Sequence, residues 1–416
     1  MAVHSSLTTA YLRWAFLRAA LARGWWLTTA VYLVVVAELS PTQLVLVAVF
    51  QGVTVVVAEV PAGVLADTVG RRLALVVAHV VMGCGMALTG LVTGYPLIIV
   101  GQSLWGLGWA ISSGADVAWI TDELNRPGVI DRVLTAQGRY DLLGNPAGVA
   151  AFGALAWTTT LATAIVIAGL AMVALGVFVV ARWPESRPPQ ANRAGRWNAT
   201  VSTFRSGLAI ARFDHPVALV LAATLVANGG TVGFGRLFER QLLDLGLPSA
   251  PALIVWFAAI GVVAASLGAI SLYWVETRID GRGVANAAYV AASGIAATGM
   301  VLFAHAPNIA IAIVASLLVS GLGFPTIRVA ATILVNRRTA SDTRATVHSL
   351  LSQAENLGET LCGLLLAGLA ARWSRTITLV ASALLVAAAG ITVSRASAAS
   401  DRPTPTSTKP GEPKTP

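Results

Sequence analysis

Glu355 and Glu359 interrupt a stretch that is otherwise mostly Leu, Gly and Ala. A spacing of four puts both carboxylates on one face of a helix, with Ser352 about one turn earlier. Two carboxylates this close in a low-dielectric setting repel when both are charged, so the chemistry open to them is uptake and release of a proton. Their structural alternative is an ion pair with Arg328 or another cavity cation that holds the halves together. Glu59, Asp116, Arg139, Asp141 and Arg328 also break apolar runs. Asp116, with Trp119 three residues on, offers a contact for a proton or a cationic molecule, or else an ion pair with Arg139.

The elements that must hold these groups follow from composition. The chain has 416 residues with 28 Lys and Arg, 19 Asp and Glu, and 56% hydrophobic positions. A soluble protein of this length needs a polar skin of about a quarter charged residues; at 11% charge this is an all-α integral membrane protein. Lysine occurs only at Lys409 and Lys414, which excludes a P-loop or Schiff-base lysine and hence a single-chain ATP-driven pump. Cys84 and Cys362 lie in apolar stretches and the histidines are scattered, with His79 read as packing, so no metal site or disulfide framework is expected.

At about 20 apolar residues per crossing, the chain yields twelve spans: 18–39, 43–66, 73–94, 97–120, 134–156, 159–181, 217–237, 253–274, 284–304, 309–335, 346–370 and 376–394. Alternate connections carry 22 basic residues on one side and 4 on the other, namely Arg236, Arg240, Arg372 and Arg375. That bias places both termini in the cytoplasm and the chain in the plasma (inner) membrane as a multi-pass protein. It also accounts for the net charge of +9 without a nucleic-acid partner. The chain divides into a six-helix half (1–181), a cytoplasmic linker (182–215), a second six-helix half (216–395) and a tail (396–416) whose Pro, Ser and Thr content predicts disorder. In the linker Trp197, Val201, Phe204 and Leu208 recur at helical spacing between arginines, which predicts an amphipathic helix on the inner leaflet.

The connection after the second span reads Gly63-Val64-Leu65-Ala66-Asp67-Thr68-Val69-Gly70-Arg71-Arg72. It resembles the signature joining the second and third helices of the major facilitator superfamily. Read physically, Gly63 allows close helix approach, Gly70 a tight turn, and Asp67 with Arg71 and Arg72 a charged latch. The fourth span, Gly101-Gln102-Ser103-Leu104-Trp105-Gly106-Leu107-Gly108-Trp109-Ala110, resembles a second superfamily motif, with Gln102 where an arginine is usual. Ser113-Gly114-Ala115-Asp116-Val117-Ala118-Trp119-Ile120-Thr121-Asp122-Glu123 is similar to the drug:proton antiporter branch that includes tetracycline- and macrolide-efflux-like members, as are Glu59-Val60-Pro61-Ala62-Gly63 and Arg344-Ala345-Thr346. Gly144-Asn145-Pro146-Ala147-Gly148 partly echoes an antiporter element, and Asp280-Gly281-Arg282 falls where a degenerate second latch belongs.

The resemblance implies a cavity between the halves, lined by spans 1, 2, 4, 5, 7, 8, 10 and 11. The charges agree: spans 3, 6, 9 and 12 have none between their ends. It implies proton coupling by Glu355, Glu359 and Asp116, with Arg23, Trp105, Trp109, Trp119, Arg139, Asp141, Trp256 and Arg328 as cavity residues. Glu59, Gly63, Asp67, Gly70, Arg71, Arg72, Asp122 and Glu123 form the expected inner gate. The expected activity is proton-driven efflux of amphiphilic small molecules by a monomer with no cofactor beyond the proton gradient. An importer or uncoupled facilitator on the same fold is the alternative, and a membrane-embedded enzyme is disfavoured.

Overall fold

The computed structural model describes residues 2–124, 127–184, 215–250, 252–278, 283–338 and 344–400. The linker periodicity at Trp197 to Leu208, the Asp280-Gly281-Arg282 element, most of the tail and the side chains of Asp67 and Arg344 lie outside what is described.

The described residues form α-helices and one π segment, with no strand. The first half comprises α1 (Ala2–Val35), α2 (Pro41–Val69), α3 (Arg71–Leu91), α4 (Tyr95–Ser112), α5 (Ala115–Leu124), α6 (Pro127–Thr158) and α7 (Leu161–Arg182). The second comprises α8 (His215–Asp244), α9 (Leu253–Glu276), α10 (Val284–Ala304), α11 (Ile309–Leu317), the π segment Leu318–Gly323, α12 (Phe324–Arg338), α13 (Arg344–Arg372) and α14 (Arg375–Ser400). With α4 and α5 as one broken rod, and α11, the π segment and α12 as another, the described residues make twelve antiparallel rods. The start of α1, the end of α14 and the link at Gly70 sit at one end of the bundle, called the latch face below; the opposite end is the far face.

Local chemistry starts, stops and breaks these rods. Ser40 and Gln43 form a reciprocal capping box at 2.9 and 3.3 Å ahead of Pro41, and Asn308 caps α11 through the Ile311 amide at 3.0 Å. The expected fourth span is interrupted at Ser113-Gly114, where Gly114 takes φ +75°, a conformation natural to glycine. In the tenth, Pro325 cannot donate to the Gly321 carbonyl, and its ring crowds it, so the preceding turn widens into the π segment.

Nine of the twelve rods are long and apolar enough to cross a bilayer by composition alone. The three that fall short, α1, α6 and α13, carry Arg18 and Arg23, Arg139 and Asp141, and Glu355 and Glu359. All three pack inside a half or between halves rather than standing alone. Within the first half α1 packs on α6 and α3 on α7; within the second, α8 packs on α13 and α10 on α14, the same pattern repeated. The repeat extends to single atoms. A Cβ on Gly148 of α6 would lie 2.0 Å from the Ala20 carbonyl oxygen of α1, and one on Gly358 of α13 would lie 2.0 Å from the Leu225 carbonyl oxygen of α8.

The halves meet chiefly through α2 against α13 and α6 against α9, with α8 touching α1 and α2. The tight contacts lie toward the far face: Val49 against Gly363 and Gly52 against Thr360. Toward the latch face the halves part. There the expectation that Gly63 permits close helix approach fails, because a Cβ at Gly63 would meet nothing within 4 Å. A second correction concerns the seventh span, which runs two turns beyond Leu237 to Asp244. Arg236, counted in the sequence as a far-side loop residue, therefore lies inside the bundle.

Overpacking a close helix crossing costs about 1–3 kcal/mol. Gly148→Val and Gly358→Val should each lower the unfolding midpoint of the detergent-solubilised protein by that amount. Gly138→Ala, where a Cβ meets nothing within 4 Å inside α6, should not lower it and should raise it slightly, by the ~0.5–1 kcal/mol by which Ala favours a helix over Gly.

Candidate functional site

The parting of the halves leaves a cavity of about 320 Å³, at the lower end of the range usual for small-molecule sites. Its first wall is aromatic. Trp105 and Trp109 of α4 stack at 5.5 Å, and Trp26 of α1 stands 6.1 Å from Trp105. One helical turn separates Trp105 from Trp109, and the break at Gly114 ends α4 just beyond them, where Ser113 also lines the cavity.

The facing wall is carboxylate-rich. Glu355 and Glu359 project from α13, with Ser352 and Asn356 beside them, and Glu59 projects from α2. Glu59 lies within reach of the Gln353 and Asn356 amides of α13, so it ties the halves together at mid-depth. Its Oε2 has no hydrogen-bond partner among the described residues. Arg328 donates from Nη2 to Glu355 Oε2 at 3.0 Å, while its side chain is 73% exposed to the open part of the cavity. The ion pair foreseen as the alternative for Glu355 is thus formed, and Glu359 stands free of it, facing Arg236 instead.

Arg236 is the cavity residue that sequence reasoning missed. From α8 its Nη2 donates to Gln51 Oε1 of α2 at 2.8 Å, and its guanidinium carbon lies 4.8 Å from the Trp26 ring centroid. One cation thereby binds two helices of the other half. A signal was present: Phe234, Leu237, Phe238, Gln241 and Leu242 continue the helical spacing of the seventh span past its apparent end. Arg23 lies well inside α1 and interacts electrostatically with Glu239 of α8 across the interface.

Besides Arg23, which does not line the cavity, five expected cavity or coupling residues sit elsewhere. Asp116 is buried in the first half, paired with Arg18 at 3.8 Å rather than with Arg139, because the break at Gly114 turns α5 toward α1. Arg18 in turn lies 4.7 Å over Trp14. Trp119 is also buried, stacked on Trp183 at 3.8 Å and donating its indole N–H to the Pro184 carbonyl at 2.9 Å. Trp14 and Tyr11 complete that cluster, and Trp14 donates to His79 Nε2 at 3.0 Å. Trp256 donates to the Ala250 carbonyl at 3.1 Å near the far face and does not line the cavity. Arg139 and Asp141, on α6, do not line it either; Arg139 is exposed and Asp141 half-buried near Asp116.

At the latch face Gly70 links α2 to α3 with φ 122°, a value suited to glycine. Arg71 pairs with Asp122 and donates to the Ala118 carbonyl at 2.8 Å, and Arg72 donates to the Val180 carbonyl at 2.6 Å. Two consecutive arginines thus fasten α3 to α5 and to α7. Among the described residues no group of His, Cys, Asp and Glu could hold a metal ion.

The profile of the Major Facilitator Superfamily matches residues 14–363. No curated protein sequence matches the chain. Among solved structures, a mutant of the nucleoside transporter NupG is similar with a TM-score of 0.76 at 12% identity, covering 94% of this chain and 99% of that one. A POT family transporter in complex with 5-aminolevulinic acid gives 0.74 at 9% identity over 95% and 96%. A bacterial homologue of the human lysosomal transporter Spinster, inward-facing and unoccupied, gives 0.69 at 14% identity over 97% and 99%. At these identities the likeness is one of fold.

Removing one partner of a buried ion pair leaves an uncompensated charge and costs about 3 kcal/mol. Asp116→Asn should therefore destabilise the detergent-solubilised protein by that amount. The pH dependence of transport should be unchanged in the folded fraction, since Asp116 does not itself line the cavity.

Proposed function

The chain belongs to the Major Facilitator Superfamily, and on that footing we propose that it is a secondary transporter exporting amphiphilic, cation-bearing small molecules in exchange for protons. One observation carries the reading: a single cavity between the halves sets Glu59, Glu355 and Glu359 against Trp26, Trp105 and Trp109. Aromatic faces attract organic cations by about 0.5–2 kcal/mol each when desolvated, and their area suits the apolar part of the same molecule. A carboxylate that holds a proton no longer offers its charge to a cation. Proton and cargo therefore compete for Glu355 and Glu359, and that competition is exchange.

Arg328 and Arg236 set the balance between them, because Arg328 pairs with Glu355 while Glu359 faces Arg236. The basic residues gathered at the latch face make that side cytoplasmic. The present cavity, closed at the far face and open at the latch face, is then the cargo-loading state. Rocking of the halves about the Gln51, Gly52 and Val49 contacts delivers the cargo outward. The transporter works as a monomer in the plasma membrane, with the proton gradient as its energy source and no cofactor.

Ethidium is a suitable probe, being aromatic and cationic. In liposomes containing the full-length protein, a pH gradient should drive ethidium accumulation, and Glu359→Gln should abolish it. Trp105→Ala should weaken ethidium binding by about 1 kcal/mol. Ethidium accumulation unaffected by the gradient, or unchanged in both Glu355→Gln and Glu359→Gln, would sink the coupling assignment. Net uptake of ethidium in the direction opposite to export would favour an importer.

A further inference from the structure

Beside the cavity, toward the far face, lies a separate chamber of about 10 Å³ lined by Trp26, Thr29, Gln102, Arg236 and Glu239. That volume is near the smallest that admits one water molecule. Its polar walls are unusually dry: Gln102 is 0% and Glu239 8% exposed. Thr29 Oγ1 and Gln102 Oε1 have no hydrogen-bond partner among the described residues, although Gln102 Nε2 does donate to Thr89 Oγ1 at 3.2 Å. An unsatisfied buried polar atom costs about 1–3 kcal/mol, so two of them facing one water-sized space beside a carboxylate call for an occupant that hydrogen-bonds to all three.

The charges around Glu239 narrow the choice of occupant. Arg236 on its own helix and Arg23 of α1 act on it directly, and Glu359 of α13 acts on the other side of Arg236. Farther away, Arg328 of α12 is held by Glu355 in the open cavity, and Arg375 of α14 is paired with Asp244 at the far face. Glu59 of α2 faces α13. A sodium ion in the chamber would therefore meet Arg236 in its wall, whereas a proton on Glu239 with one water needs no extra counter-charge. Depth matters too. Glu239 lies five residues from the far end of α8, or ~8 Å, and Glu359 thirteen residues from the far end of α13, or ~20 Å. Arg236 separates the two.

We propose that Glu239 is a second proton-carrying carboxylate of the transport cycle, loaded from the far face through a water held by Thr29 and Gln102. The proposal rests on the proton-exchange reading of the Glu355 and Glu359 cavity. In the step, a hydronium ion in the far compartment gives its proton to a Glu239 carboxylate oxygen and becomes water. The new O–H leaves Arg236 with Glu359 as its remaining anionic partner, which draws the guanidinium away from Gln51 and Trp26 and loosens the far-side closure. When the halves reseal, the O–H bond breaks and the proton passes to water in the cavity and on to the latch-face compartment.

Trp26, under the Arg236 guanidinium, reports the step without any cargo. Tryptophan fluorescence of the full-length protein should change with pH. The component that Trp26→Phe removes should vanish in Glu239→Gln and persist in Glu355→Gln. In liposomes, Glu239→Gln should lose pH-driven ethidium accumulation yet keep ethidium exchange in the absence of a gradient. Persistence of the Trp26 component in Glu239→Gln overturns the proposal, as does its appearance on adding sodium at fixed pH or the loss of gradient-free exchange. If Glu239→Gln fails to fold, Thr29→Val serves instead: a shifted midpoint of the fluorescence titration supports the proposal and an unshifted one overturns it. A protein that shows the titration but moves no ethidium removes the export reading alone and leaves Glu239 as a proton site.

Discussion

A charge in the hydrocarbon layer costs at least ~2.5 kcal/mol unless protein or water surrounds it, and the architecture of this chain depends on meeting that demand. Three rods, α1, α6 and α13, are too polar to stand in lipid alone. Each is packed against a partner within its half, and α13 also closes on α2 of the other half. Some charges fasten helices within a half, as Arg71 does with Asp122 and Arg18 with Asp116, whereas at the interface Arg328 pairs with Glu355 and Arg236 reaches an uncharged glutamine and an indole ring. Such neutral contacts are weaker than an ion pair and can be exchanged, which suits an interface that must open.

The proposed cycle requires each half to stay rigid, and the packing inside each one supplies that rigidity. Gly148 against Ala20 and Gly358 against Leu225 bring paired backbones into contact at equivalent places, as expected of two repeats built on one plan. The breaks serve placement. Gly114 directs Asp116 into the first half and leaves Trp109 at the cavity, and the π segment before Pro325 precedes Arg328 by about one turn.

Much of this was legible in the sequence, and the rest was lost for identifiable reasons. The twelve crossings, the paired halves and the polar α13 followed from hydropathy and the spacing of Glu355 and Glu359. Arg236 and Glu239 were missed because charge counting groups Arg236 with the far-side connection and the apolar stretch ends at Leu237, although the amphipathic spacing runs on to Leu242. Asp116 and Trp119 were placed in the cavity because a continuous fourth span would have pointed them there; a two-residue break reverses their facing. Trp25 and Trp26 both lie within α1: Trp25 is buried, stacked on Trp105 at 5.3 Å, and Trp26 lines the cavity. Side-chain facing at a helix break is decided by packing between helices, which one sequence does not display.

The central claim is that the halves part and close alternately about the far-side contacts. Its most direct test is a cross-link there, with Cys84 and Cys362 replaced by alanine. A Cβ at Gly363 would lie 2.8 Å from Val49 Cγ2, so cysteines at positions 49 and 363 are within disulfide reach. Oxidation should lock the cavity open to the latch face and stop ethidium transport in liposomes, and reduction should restore it. Full transport by the oxidised, cross-linked protein would contradict alternating access through this cavity.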